Sequence, residues 1–312
     1  RCSRMLIVIG AAFLQLGACK AKETEIQVNE TELSMSAELE TDTNLSMSDE
    51  PETDINLSMA GMQANQLQLN DLSMYEEGLQ EDLEGMQELY NESARWKEAG
   101  VPLEESDYSW ISDARELLTH YFQKTYRVDL SEQVEKIEVW TSDAIPETIG
   151  GFSDGTGKIF LPQEEMEQYE QDDTRMCHTT LHEMIHAVGV DFYNDKSGLR
   201  SSAFYEGLTE ALTKAVIEDA GEGYEDISTY GTLLIYSGKI MEADPQLVVD
   251  LVSGKENDIA ARIDKRLGTG AGKELLDAQS LIEFSYWNEG SAVYENCERI
   301  TDAYAGEYMR RE

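Results

Sequence analysis

The run His182-Glu183-Met184-Ile185-His186 places two imidazoles and a carboxylate within five positions. On an α-helix, residues four apart share a face and lie about 6 Å apart along the axis, so both imidazoles can reach one ion. Glu183 is turned about 100° from His182, which carries its carboxylate over an open coordination position rather than onto the ion. The spacing has this meaning only on a helix. The flanking sequence predicts one over 173–188: Asp172 and Asp173 can cap it, its apolar residues are helically spaced, and Gly189 ends it. Two structural histidines flanking a glutamate would give the same string. Against that reading, three of the chain's four histidines fall within 178–186.

A catalytic zinc takes three protein ligands and a water. His178, His182 and His186 are spaced i, i+4, i+8, but the outer pair is about 12 Å apart on a straight helix. His178 is therefore expected to support the site from outside it or to be polar surface, and His120 is the only other histidine. Metzincins place a third His or Asp six residues after the second His, following a glycine. Gly189 stands at the glycine position, but residue 192 is Phe and Asp191 falls one short. Downstream, Tyr205-Glu206-Gly207-Leu208-Thr209-Glu210-Ala211-Leu212 puts Glu206 and Glu210 one helical turn apart on a shared face. Such a pair could be a solvated acidic stripe; Leu208, Ala211, Leu212 and Ala215 instead predict a buried helix.

With Glu206 twenty residues after His186, the chain resembles the gluzincins, the thermolysin-like zinc peptidases, over roughly residues 137–220. The resemblance implies a zincin-like fold and one Zn2+ per chain, held by His182, His186 and Glu206. Glu210 would orient the first histidine, and Glu183 would be the general base in hydrolysis of a peptide or protein substrate. It further implies a Tyr or His donor to the tetrahedral oxyanion. Tyr193, Tyr205, Tyr230 and Tyr286 are candidates, with Tyr230 favoured. An edge strand ahead of the metal helix would bind substrate backbone, and Lys158-Ile159-Phe160-Leu161 is the strand expected to do so. The chain departs from thermolysin in its tail, which has no match to the second lobe. In that respect it is more loosely similar to short exported H-E-x-x-H proteins of Gram-positive bacteria.

The elements that must position these groups are legible to different degrees. Leu72, Tyr75, Leu79, Leu83, Met86 and Leu89 recur at helical steps, for packing on the domain or against a partner. Ser106 and Asp107 can cap a helix to Tyr126 that carries Trp110, Leu117, Leu118 and Tyr121. Residues 137–140 read as a strand, and 150–161 as a turn followed by a second strand stopped at Pro162. Helices are expected at about 203–219, 226–241, 256–267, 273–287 and 290–309. This is an α+β class: a small β-layer, a metal-binding helix and a mainly helical C-terminal part, over 71–312 with its core from about 104.

The N-terminal part reads as an address and a tether. Arg1 and Arg4 precede an apolar run, Met5 to Ala18, in the layout of a secretory signal. Because the chain opens on Arg1, the gene product is expected to begin earlier. The run ends in Leu16-Gly17-Ala18-Cys19, which resembles a bacterial lipobox and implies lipidation of Cys19 after removal of 1–18; an ordinary cleaved signal is the alternative. Residues 19–70 are acidic and repeat Leu-Ser-Met at 33–35, 45–47 and 57–59, with a fourth copy at 72–74. Such a tract buries no core and is expected to be a disordered linker; a sticky repeat is the alternative. The implied location is outside the bacterial membrane, lipid-anchored. A net charge of −39 disfavours a nucleic-acid partner. Cys177 and Cys297 leave a disulfide open. The rival to an enzyme is a surface lipoprotein that binds a partner through its helices, its metal structural or lost; hydrolysis of a non-peptide bond is a second rival.

Overall fold

The structure, a computed structural model, describes residues 67, 72, 75–146, 149–168, 173–221, 230–284 and 292–309. The signal-like run, Cys19, the first three Leu-Ser-Met repeats and Tyr286 lie outside them. The architecture is mixed α+β, mostly helical with one small sheet.

Four strands form that sheet in the order β1 (Val101–Pro102), β2 (Glu138–Ser142), β4 (Lys158–Pro162), β3 (Phe152–Ser153). The inner strands β2 and β4 run parallel with Val139 opposite Ile159, while β1 and β3 pair antiparallel on the outside. Ile159, Phe160 and Leu161 are all buried, because an inner strand covered on both faces has no polar side to alternate with. The β3–β4 hairpin turns on Asp154, whose Oδ1 accepts the backbone N–H of Thr156 at 2.8 Å and of Lys158 at 3.1 Å.

This order corrects one expectation. Lys158, Ile159 and Phe160 are not an edge: β4 lies between β2 and β3, so its backbone groups are already paired on both sides. The edge next to the helix that carries His182 is β3. At two residues it is too short to leave a period in the sequence.

The helices are α1 (Glu76–Glu98), α2 (Ser109–Thr125), α3 (Ser131–Glu135), α4 (Gln163–Gln168), α5 (Asp173–Ala187), α6 (Ser202–Asp219), α7 (Gly231–Ala243), α8 (Pro245–Val252), α9 (Ile259–Leu267), α10 (Ala271–Phe284) and α11 (Ala292–Met309). α2 starts later than its expected cap, because Ser106 and Asp107 form a 3-10 turn and Tyr108 becomes the N-cap. Helix α8 fills a stretch assigned to no helix. There the Asp244 side chain accepts from Leu247 N–H at 3.2 Å and Pro245 takes the first helical position.

Helix α6 is the centre of the domain, buried at every residue from Ser202 to Thr213. Phe204, Leu208 and Leu212 on it join Leu118 and Phe122 of α2, Met184 and Ile185 of α5, and Leu275 and Leu276 of α10 in one apolar cluster. Polar groups on such a helix must find partners inside the protein. Helix α1 lays Leu79 and Met86 against the domain, and Trp96 near its end enters a small cluster with Ile145, Ile149 and Phe160. No disulfide joins Cys177 and Cys297. Among the described residues no helix is long and apolar enough to cross a membrane.

Candidate metal centre

Helix α5 ends where Gly189 adopts a φ of +111°, a conformation that L side chains resist. The chain then folds back, so that the Val190 carbonyl lies 2.8 Å from His186 Nδ1. One turn earlier, His182 Nδ1 lies 2.8 Å from Glu210 Oε2 on the facing α6. A carbonyl and a carboxylate only accept, so both Nδ1 atoms carry a hydrogen and both Nε2 atoms are the ones left to face an ion.

Those Nε2 atoms converge on Glu206. The two Nε2 atoms are 3.2 Å apart, and they stand 3.3 Å (His182) and 3.4 Å (His186) from Glu206 Oε2. Three acceptors at such distances repel unless a proton or cation lies among them. A four-coordinate ion with bonds of 2.0–2.1 Å has ligand–ligand edges of about 3.3–3.4 Å, which matches this triangle. The buried trio could hold a metal ion. Asp191 is not part of it; its Oδ1 accepts the backbone N–H of Tyr193 at 2.8 Å.

Charge balance points the same way. Burial pushes the Glu206 and Glu210 carboxyls up, but the adjacent histidines outweigh it and hold both below the usual carboxylate range. Burial likewise works against a charged His182, and Glu206 and Glu210 more than reverse that. The pocket therefore draws positive charge, and a divalent cation can take the place of protons. His178, one turn before His182, places Nε2 3.2 Å from Glu210 Oε1, so Glu210 bridges the two histidines.

Glu183 is buried beside the trio and lines a cavity with His186 and Glu206. Burial raises its carboxyl to about 7, opposed by His182 and His186 and reinforced by Glu206; the Ser153 backbone N–H hydrogen-bonds to it. Gly151 passes so close that a Cβ there would fall 2.6 Å from Glu183 Oε1, so any side chain at this position would displace the Glu183 carboxylate. Glu165 lies near enough for Glu183 to help raise it, after burial, to about 7 against the pull of Arg175.

The remaining tyrosines divide. Tyr230 is buried with its ring stacked on His182 at 6.0 Å, and burial followed by the charge of Glu206 keeps its hydroxyl neutral. Tyr193 lines the cavity and donates to the Ser153 carbonyl at 2.7 Å. Tyr205 points away and donates to Asp195 Oδ2 at 3.1 Å, which removes it as an oxyanion donor. Gly151 and Ser153 were not singled out from sequence. Their signal was weak: a glycine pair and a serine a short distance ahead of the metal helix. No protein-family model, curated protein or solved structure matches the chain, so its chemistry follows from the site's own geometry.

Proposed function

We propose that this chain is a zinc-dependent peptidase of the gluzincin type, with His182, His186 and Glu206 holding one ion and Glu183 as the general base. The observation that carries the proposal is the triangle of His182 Nε2, His186 Nε2 and Glu206 Oε2, beside a separate buried carboxylate that belongs to none of its edges. When bound, zinc would polarise the scissile carbonyl and make an attacking water acidic. Glu183 accepts that water's proton and returns it to the leaving amine, and its raised pKa suits both steps. Tyr230 is the proposed donor to the oxyanion.

Strand β3 is the proposed support for the substrate backbone. Asp154 N–H bonds inward to Lys158 O at 3.0 Å, so by the alternation of an antiparallel pair the N–H and C=O of Ser153 point outward. One of them holds the base and the other faces the cavity. A lipid anchor at Cys19 and the acidic tract after it are proposed to present the enzyme outside the membrane.

The test is a paired measurement on Glu183→Gln. Zinc content should match wild type, because this residue coordinates nothing, while turnover of a peptide that wild type cleaves should fall by ~10²–10⁴-fold. Near-normal turnover would mean another base. A zinc-loaded wild type that cleaves no peptide in a library would favour a structural metal in a partner-binding protein.

A further inference from the structure

The cavity over the metal ligands is about 50 Å³, room for a few waters and not for a peptide. Its inner wall is Glu183, His186 and Glu206; its outer wall includes Met86, Leu89 and Tyr90, all from α1. Tyr90 reaches Tyr193 with ring centroids 5.7 Å apart, and Tyr193 in turn occupies the Ser153 carbonyl. The groups a substrate backbone would pair with are thus filled from within, behind a helix.

The attachment of α1 is uneven. Its C-terminal end is held firmly: Trp96 is buried, meets the Phe152 ring edge-on at 5.6 Å, and is followed by Gly100, where a Cβ would fall 2.9 Å from the Phe160 ring. Over the cavity Met86 is buried, Leu89 half-buried and Tyr90 40% exposed, so the hold weakens from Met86 to Tyr90. Low burial of this kind marks segments that open at small cost.

We propose that α1 is an autoinhibitory lid: Leu89 and Tyr90 hold Tyr193 over the strand edge, and substrate enters only when this part of the helix lifts about its Trp96 anchor. The proposal rests on the peptidase reading for its purpose, but not for its test. In the zinc-loaded full chain, the association rate of a leucyl-phenylalanine hydroxamate reports access to the metal without any hydrolysis. Leu89→Ala/Tyr90→Ala should raise that rate, and kcat/KM for a short peptide, by at least about tenfold, since an opening equilibrium scales apparent binding directly. In wild type, hydroxamate binding should reduce hydrogen-exchange protection in α1 while α5 stays protected. An unchanged or slower association in the double variant would overturn the lid and make α1 a wall that ligands need. Faster association without cleavage of any peptide would support the lid and sink the peptidase reading instead.

Discussion

Glu210 Oε2 accepts from His182 Nδ1 at 2.8 Å, and this bond decides that Nε2 of His182 faces Glu206. The other oxygen of the same carboxylate is held by His178, so α5 contributes both His182 and the support of the group that orients it. Outer partners of this kind typically change metal affinity by roughly 10–100-fold when removed. His178→Ala should weaken zinc binding by about tenfold, and Glu210→Gln by more. Competition with a chromogenic chelator measures both. His178→Gln, which can still donate to Glu210, should recover most of the loss; a purely structural histidine would show no such rescue.

Glu206→Ala removes one corner of the acceptor triangle. The variant should fold, retain a small fraction of its zinc after dialysis, and lose turnover with the metal. Undiminished zinc by elemental analysis would take Glu206 out of the ligand set.

Tyr230→Phe keeps the ring against His182 and deletes only the hydroxyl. As an oxyanion donor its loss should cost roughly 10²–10³-fold in kcat, with KM and zinc content near wild type. A loss below threefold would pass the role to another donor, Tyr193 first.

Glu165 gives a pH signature. Burial raises its folded-state pKa from 4.5 to about 7, so the folded state holds the proton more tightly than the unfolded chain. The stability this confers is complete below pH 4.5 and is lost as pH rises towards 7. At about 1.4 kcal/mol per pKa unit, the loss is on the order of 3 kcal/mol. Glu165→Gln should lack this component, so the gap in melting temperature between variant and wild type should widen in the variant's favour across that range. Parallel melting curves would contradict it.

What was legible in the sequence was what local spacing fixes. Two histidines four apart name a helix face, and Glu206 with Glu210 names a second face, so the site's main groups could be read before any fold was known. The edge strand could not be read, because Phe152 and Ser153 are a strand only by virtue of pairing with Phe160 and Ile159. Helix α8 does carry a local signal, since Asp244-Pro245 is a cap followed by a first-turn proline. The placement of Tyr90 over the site had no local signal. Helical spacing shows that α1 has an apolar face, not which part of the domain that face meets.

The ends of the sheet carry a consequence for the protein's solution behaviour. A sheet edge with free peptide groups is a template for another copy of the same chain. Here β1 is two residues long and ends in Pro102, which has no N–H to offer, and the outward groups of β3 are engaged by Glu183 and Tyr193. Neither border invites a neighbour to extend the sheet. On the peptidase reading proposed above, β3 is then a docking strand kept in reserve, opened only by a ligand able to displace a tyrosine.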